Sequence, residues 1–455
     1  MKVAFVSLGC DKNLVDSQQM MGYLKGTGDR YTLTDDESEA DAAVVNTCAF
    51  IDSAKQESID NILEIARYKK TGHLKALVVT GCMAQRYHDE ILKELPEVDA
   101  VVGTTAEDSL PAVLDRIFAG EKANEPVLQD VSRAPAADVD RVLTIGSHVG
   151  YLKIAEGCDK CCSYCAIPMI RGHYRSVPME KLVADAKRLV SLGARELILV
   201  AQETTLYGTD LYGEKKLPEL LRRLCLISGV KWIRVLYCYP EEITMELVQT
   251  MKEEKKILPY IDMPVQHASD RILKRMGRRT TRRELEAMVQ TLRREIPDIC
   301  IRTTLISGFP GETEEDHREL LSFVKKMKFD RLGVYTYSRE EGTPAAKFDG
   351  QVHPGTRERR RRELMLAQQE IAFHAAGEQV GTTLETVIEG RLPGKAPDGR
   401  DVYAGRTYRD IPDVDSNIFV ATRRDLLSGE FVDVKVTGTD GYDLTGEIDY
   451  HESSE

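Results

Sequence analysis

Tyr151-Leu-Lys-Ile-Ala-Glu-Gly-Cys158-Asp-Lys-Cys161-Cys162-Ser-Tyr-Cys165 opens with an apolar run, Tyr151–Ala155, and passes at once into four cysteines within eight residues. The run reads as a strand and the cysteines as the loop that leaves it. Cys158, Cys162 and Cys165 parse as CxxxCxxC, in a loop short enough for three sulfurs to face one centre. Cys161 could replace Cys162 in the alternative parse with Cys158 and Cys165; we read it as a neighbour. A structural zinc site closes with four ligands, so three leave it incomplete. Thiolates are the usual ligands of a 4Fe–4S cluster, and three of them leave one iron free for substrate.

Outward from that loop, alternating strand and helix signals run to about Tyr337. Strands are predicted at Tyr151–Ala155, Glu196–Val200, Trp232–Leu236, Tyr260–Met263, Ile299–Ile306 and Arg331–Tyr335. Leu182, Ala186, Leu189 and Val190 form a helical stripe stopped by Gly193. Thr313-Glu-Glu-Asp316 is a capping-box-like start for a helix through Leu320, Phe323, Val324 and Met327. Six such units are too few for a closed eight-fold barrel, so a partial (β/α)6 barrel is expected, with its chemistry at the carboxyl ends of the strands.

Upstream, residues 1–120 read as an open parallel-sheet domain. The runs Lys2–Leu8, Ala42–Val45 and Leu77–Val79 end in Gly9-Cys10, Asn46-Thr47-Cys48 and Thr80-Gly81-Cys82. Ile59, Ile62, Leu63 and Ala66 supply a buried helix face between the last two, and Ala100–Val102 with Ser109–Phe118 forms a fourth unit. In an open parallel sheet the carboxyl ends share one edge, so three cysteines distant in sequence are expected to converge there. Three buried structural thiols is the bland alternative.

Residues 121–146 read as a linker, and 147–376 as the central domain with a connecting helix from Gly355 to about Ala376. The run Arg357-Glu-Arg-Arg-Arg-Arg362 on that helix reads as a solvated face, since no aromatic residue interleaves it to stack on bases. Residues 377–455 carry five short strands between Gly- and Asp-rich turns, the pattern of a small antiparallel β-barrel. The fold class is therefore α/β, closed by a β-barrel.

The 455 residues are 42% hydrophobic and 30% charged, an ordinary soluble globular composition. No apolar run approaches a membrane span, and the start, MKVAFVSLGCDKN, lacks a signal-peptide pattern, so a cytoplasmic protein with no membrane partner is expected. Ten cysteines in such a chain point to metal or redox chemistry before disulfides. From Gly377 onward there are 17 acidic and 8 basic residues, so this tail carries −9 of the net −12. Charge of that sign repels phosphate backbones and suits a basic protein partner, so direct nucleic-acid binding is not expected.

The CxxxCxxC loop on the first strand of a βα series resembles the radical S-adenosylmethionine (SAM) enzymes, in which the amino and carboxylate groups of SAM chelate the free iron and one electron cleaves the sulfonium to a hydrogen-abstracting radical. Gly9-Cys10-Asp-Lys-Asn13, Asn46-Thr47-Cys48, Thr80-Gly81-Cys82 and Ile167-Pro-Met-Ile-Arg171-Gly172 resemble the methylthiotransferases within that class. The barrel resembles their TRAM domain in place and size. The resemblance implies two 4Fe–4S clusters, one on Cys158, Cys162 and Cys165 and an auxiliary one on Cys10, Cys48 and Cys82. It also implies a separate protein reductant.

Ala201-Gln-Glu-Thr-Thr-Leu-Tyr-Gly208, Tyr237-Cys-Tyr-Pro240 and Tyr335-Thr-Tyr-Ser-Arg-Glu-Glu-Gly-Thr-Pro344 resemble the branch that modifies the β-carbon of an aspartate in a small-subunit ribosomal protein. That branch more often has Pro where Asp11 stands. The sister branch acts on an adenosine of transfer RNA, and a non-catalytic metal-binding scaffold on ribosomal proteins is the rival from another class. By resemblance, Gln202 and Glu203 take the place of the SAM amino-group contact, though the usual glycine pair is absent. Gln266 or His267 is expected to reach SAM or substrate, Arg302 to pair with the SAM carboxylate, and Gly308 to admit the adenosyl group. A structural hydrogen bond is the alternative for His267. Cys225, Cys238 and Cys300 read as packing residues.

Overall fold

A computed structural model of the chain describes residues 1–121, 125–136, 139–144 and 146–449. The first sheet has five parallel strands, β1 (Lys2–Ser7), β2 (Thr32–Thr34), β3 (Ala42–Thr47), β4 (Ala76–Gly81) and β5 (Ala100–Val102), in the order β2-β1-β3-β4-β5. Every residue of β3, β4 and β5 is buried, because the sheet is packed on both faces, and such strands read as continuous apolar runs. From β1 the chain steps to β2 on one side and then crosses back to β3 on the other, so a crevice opens past the carboxyl ends of β1 and β3. β2 escapes sequence reading because it is three residues long and half polar. In the Asp52–Ala66 helix the buried stripe is Ile62, Ile65 and Ala66; Leu63, assigned to that face from the sequence, is 41% exposed.

The second sheet is six-stranded and parallel, with β6 (Val149–Lys153), β9 (Glu196–Val200), β10 (Trp232–Val235), β11 (Ile257–Asp262), β12 (Cys300–Ser307) and β13 (Arg331–Thr336). A two-stranded ribbon of β7 (Ala155–Glu156) and β8 (Arg175–Ser176) stands beside it. β6 and β13 are its unpaired edges, which makes it a partial barrel. Alternate residues divide between two cores. Leu152, Leu197, Leu199, Ile233, Val235 and Ile301 join the helices, while Tyr151, Ile198, Trp232 and Tyr260 pack with Val387 and Ile411 from the C-terminal domain.

That C-terminal domain is a closed barrel of β14 (Thr383–Lys395), β15 (Asp401–Thr407), β16 (Ile418–Thr422), β17 (Phe431–Asp440) and β18 (Asp443–Ile448), in the order β14-β15-β16-β18-β17. The barrel is antiparallel as expected except at one seam, where β16 and β18 run parallel. Five strands closed in a ring cannot alternate direction all the way round, so one pair must be parallel.

The domains are joined by buried charge. Glu196 on β9 accepts from Arg234 at 2.8 Å and lies 2.6 Å from Arg406 of the barrel. Trp232 donates its ring N–H to Glu385 at 2.8 Å and meets Phe431 edge-on. Asp415, on the barrel's loop after β15, accepts from Tyr260 at 3.3 Å and stands 3.7 Å from Arg302. On the other side, buried Glu340 takes Lys55 at 3.1 Å and Arg86 at 2.8 Å from the first domain. The described part of the 121–146 segment is tied down too: Arg141 donates to Gln18 and to the Tyr151 carbonyl, and a Cβ at Gly22 would stand 1.5 Å from the Asp140 carbonyl oxygen.

The connecting helix spans Pro354–Gly377. Arg359 and Arg361 of its basic run are ion-paired, and Arg360 turns inward to Glu312 at 3.0 Å, where a solvated face was expected. Among the described residues, no helix is long and apolar enough to cross a membrane.

Candidate functional site

Cys10, Cys48 and Cys82 each sit within three residues of the carboxyl end of β1, β3 or β4. Gly9 lets them approach: it has φ +90, and a Cβ there would stand 2.8 Å from the Cys48 Cβ and 3.1 Å from its Sγ. Asn13 staples the three loops, donating to the Leu8 carbonyl at 2.9 Å and the Thr47 carbonyl at 3.0 Å, and its Oδ1 lies 3.8 Å from the Cys82 Sγ. The thiols feel one another electrostatically, although burial is the larger influence and pushes Cys48 up to about 12 and Cys82 above its ordinary value.

The second trio hangs on the loop after β7. Gly157, at φ +79, makes the exit turn, since a Cβ would strike the His173 carbonyl oxygen at 2.0 Å. The Cys158 N–H donates to the Gly172 carbonyl, and the Cys165 N–H to the Cys162 carbonyl. Gly277 presses on the loop from outside, with room for a side chain denied by the Cys161 carbonyl oxygen. Cys158 and Cys162 are buried, Cys165 is partly so, and Cys161 is turned out to solvent. Burial pushes the Cys158 thiol up to about 12 and that of Cys165 higher still, with the neighbouring Cys162 adding to both. Among the described residues no group of three or more His, Cys, Asp or Glu side chains is placed to hold a single metal ion. A cluster several ångströms across asks for wider spacing than one ion, and all six donors are soft sulfurs of the class iron–sulfur clusters take.

Between the trios, the carboxyl ends of β9 to β12 present buried acceptors. Gln202 donates its amide to Glu156 at 2.8 Å and leaves Oε1 without a partner. Glu203 has no exposed surface; it accepts from the Thr205 N–H, its Oε2 is unpartnered, and burial pushes its carboxyl up to about 7. Gln266 is held at φ +69 between Thr304 and Ile306, and its Oε1 is unpartnered. Buried oxygens without donors fit a donor-rich ligand such as an ammonium-bearing amino acid.

The remaining expected contacts have protein partners. Arg302 donates to Asp262 at 3.0 Å and faces Asp415. His267 is buried, accepts from the Ser269 N–H at 2.9 Å and stands 3.7 Å from Glu312. Glu312 in turn receives the Gly308 and Phe309 N–H groups, so His267 belongs to the knot that shapes this loop. The space a Cβ at Gly308 would need is filled by the Arg357 side chain, 2.2 Å away at Cγ.

The structure adds residues the sequence did not single out. Tyr239 hydrogen-bonds the Cys162 sulfur at 2.8 Å, with Arg278 stacked 4.0 Å from its ring centre. Arg171 and Lys153 form a buried quartet with Asp16 and Glu156, at 2.7 Å for Arg171–Asp16 and 2.8 Å for Lys153–Glu156. Asp16 sits in the first domain and the others in the second, so no periodicity within either segment could reveal them as a set.

Three family models match in succession: Uncharacterized protein family UPF0004 over residues 2–103, Radical SAM superfamily over 152–324 and TRAM domain over 380–448. A ribosomal protein uS12 methylthiotransferase RimO from Lachnoclostridium phytofermentans is 57% identical over 446 residues, covering 98% of this chain and 99% of its own. Its counterpart from Acetivibrio thermocellus is 47% identical and covers 98% of each. Among solved structures, the radical SAM methyltransferase TsrM from Kitasatospora setae, with cobalamin and a [4Fe-4S] cluster bound, superposes at a TM-score of 0.56 with 15% identity, over 84% of this chain and 80% of that one. At that identity the likeness is one of fold.

Proposed function

This chain belongs to the RimO family of ribosomal protein uS12 methylthiotransferases, and from that premise we propose that it inserts a methylthio group at the β-carbon of an aspartate in uS12. It is a radical SAM enzyme, and a 4Fe–4S cluster with SAM is the cofactor set of its central domain. We assign that cluster to Cys158, Cys162 and Cys165, and a second, auxiliary one to Cys10, Cys48 and Cys82. The observation that carries the assignment is the convergence of three sulfurs, from three different strand ends, at the crevice of the first sheet. When bound, the two clusters and SAM supply the electron, the abstracting radical, the sulfur and the methyl group.

The chain's own residues do the rest. Gln202, Glu203 and Gln266 offer the acceptors that orient the amino-acid end of SAM. Tyr239 holds the Cys162 sulfur, and Arg171 holds that of Cys82. Buried ion pairs at Glu340 and Glu196 tie the first domain and the barrel to the central domain. The acidic barrel favours a basic ribosomal protein over transfer RNA by simple charge complementarity. We place the reaction in the cytoplasm, with a separate protein reductant.

Anaerobically reconstituted protein, given SAM and a reductant, is expected to add the mass of a methylthio group to uS12 and to leave transfer RNA unchanged. Modified transfer RNA with unmodified uS12 would reverse the assignment. Protein that binds zinc and leaves SAM intact would make it a scaffold.

A further inference from the structure

Lys12 is 7% exposed, and its ammonium stands 3.5 Å from the centre of the Tyr237 ring. Among the described residues it has no hydrogen-bond or ion-pair partner. A lysine with so little exposed surface is usually paired, yet this ammonium, which keeps a small accessible face, has no counter-charge bonded to it. A ring face replaces only part of a counter-charge.

The ring is fixed on several sides. The Tyr237 hydroxyl donates to Asp11 at 3.2 Å, and its N–H donates to Asp262 at 3.1 Å. Asp262 is held by Arg302, and the Tyr237 backbone sits at φ +59, a conformation a bulky residue keeps only when its surroundings impose it. The nearby carboxylates are therefore committed, Asp11 to Tyr237 and Asp262 to Arg302 and Tyr237. The pair also joins the segment that carries Cys10 to the strand end that leads on to Tyr239. Lys12 follows Cys10 by two residues, and Tyr237 precedes by two the tyrosine that touches Cys162.

We infer that Lys12 receives the side-chain carboxylate of the substrate aspartate, with Tyr237 aiming the ammonium. This rests on the proposed function, in which the reacting β-carbon is bonded directly to that carboxyl carbon. A cation gripping the carboxylate fixes the β C–H within one bond length of the anchor. It also selects Asp over Asn, since an amide brings no counter-charge to the ammonium.

Affinity of the fully reconstituted enzyme for uS12, and for uS12 with the target Asp replaced by Asn, tests this by fluorescence anisotropy without turnover. Wild type is expected to favour Asp by about tenfold or more. Lys12→Met is expected to erase the preference by weakening only the Asp protein, and Lys12→Arg to restore part of it. Iron, sulfide and the EPR spectra of the clusters check that each variant is loaded. Lys12→Gln takes the place of Lys12→Met should the latter load less iron. A preference that survives in the neutral variant, or is missing in wild type, overturns the inference. Wild type that methylthiolates uS12 while either result holds leaves the proposed function standing, and wild type that never modifies uS12 removes both.

Discussion

The guanidinium of Arg171, carried by the central domain, donates to the sulfur of Cys82, carried by the first domain, at 3.5 Å. The same side chain bonds Asp16 and Asn13 at 2.7 Å each and is essentially without exposed surface. One residue thus locks the domain joint and touches the auxiliary trio. Arg171→Met leaves Lys153 as the one cation bonded to both Asp16 and Glu156, and is expected to cost about 3–5 kcal/mol of stability, because two buried carboxylates then share a single positive charge. Thermal unfolding measures the loss, and EPR of the auxiliary cluster should change with it.

The two trios are expected to separate functionally. Cys158→Ala should abolish SAM cleavage, whereas Cys48→Ala should spare uncoupled cleavage and block sulfur insertion. Each should lower iron by about four atoms per chain. Metal analysis and chromatography of the cleaved nucleoside read both outcomes, and full product from the Cys48 variant would refute the two-cluster assignment.

Tyr239→Phe removes the hydroxyl that lies 2.8 Å from the Cys162 sulfur. Hydrogen bonds to cluster sulfurs favour the reduced, more negative state, so the potential of that cluster should fall by on the order of 50 mV. Redox titration followed by EPR gives the shift directly.

Burial pushes the Glu196 carboxyl up, but Arg406 and Arg234 outweigh it and hold the group below its usual 4.5. A carboxyl depressed on folding contributes stability that is complete above its unfolded value, about 4.5, and is lost as pH falls toward the folded one. The barrel joint is therefore expected to loosen in acid. Glu196→Gln should flatten that dependence and cost about 3–5 kcal/mol at neutral pH. Limited proteolysis near residues 377–383, followed between pH 7 and pH 3, reports the joint.

Parallel strands packed on both faces announce themselves, and the strand ends then place Cys10, Cys48 and Cys82 on one edge before any coordinates are known. What stayed hidden was long-range pairing. Arg302 looks like a free cation in its strand, yet Asp262 and Asp415, from a neighbouring strand and a distant loop, flank it. His267 reads as a lone polar residue until Glu312 is folded against it. Leu63 and Ile65 differ by a turn-phase that helix periodicity alone leaves loose. Charge networks such as Asp16–Arg171–Glu156 join segments more than a hundred residues apart, and no local pattern encodes them.

Asp415 reaches from the C-terminal barrel to the strands of the central sheet. The acidic barrel is thus also a buttress of the central sheet. A barrel lacking an acid at this place would take from Tyr260 its acceptor and from Arg302 one of its two carboxylates, so exchanging the barrel means redrawing both sides of the seam together.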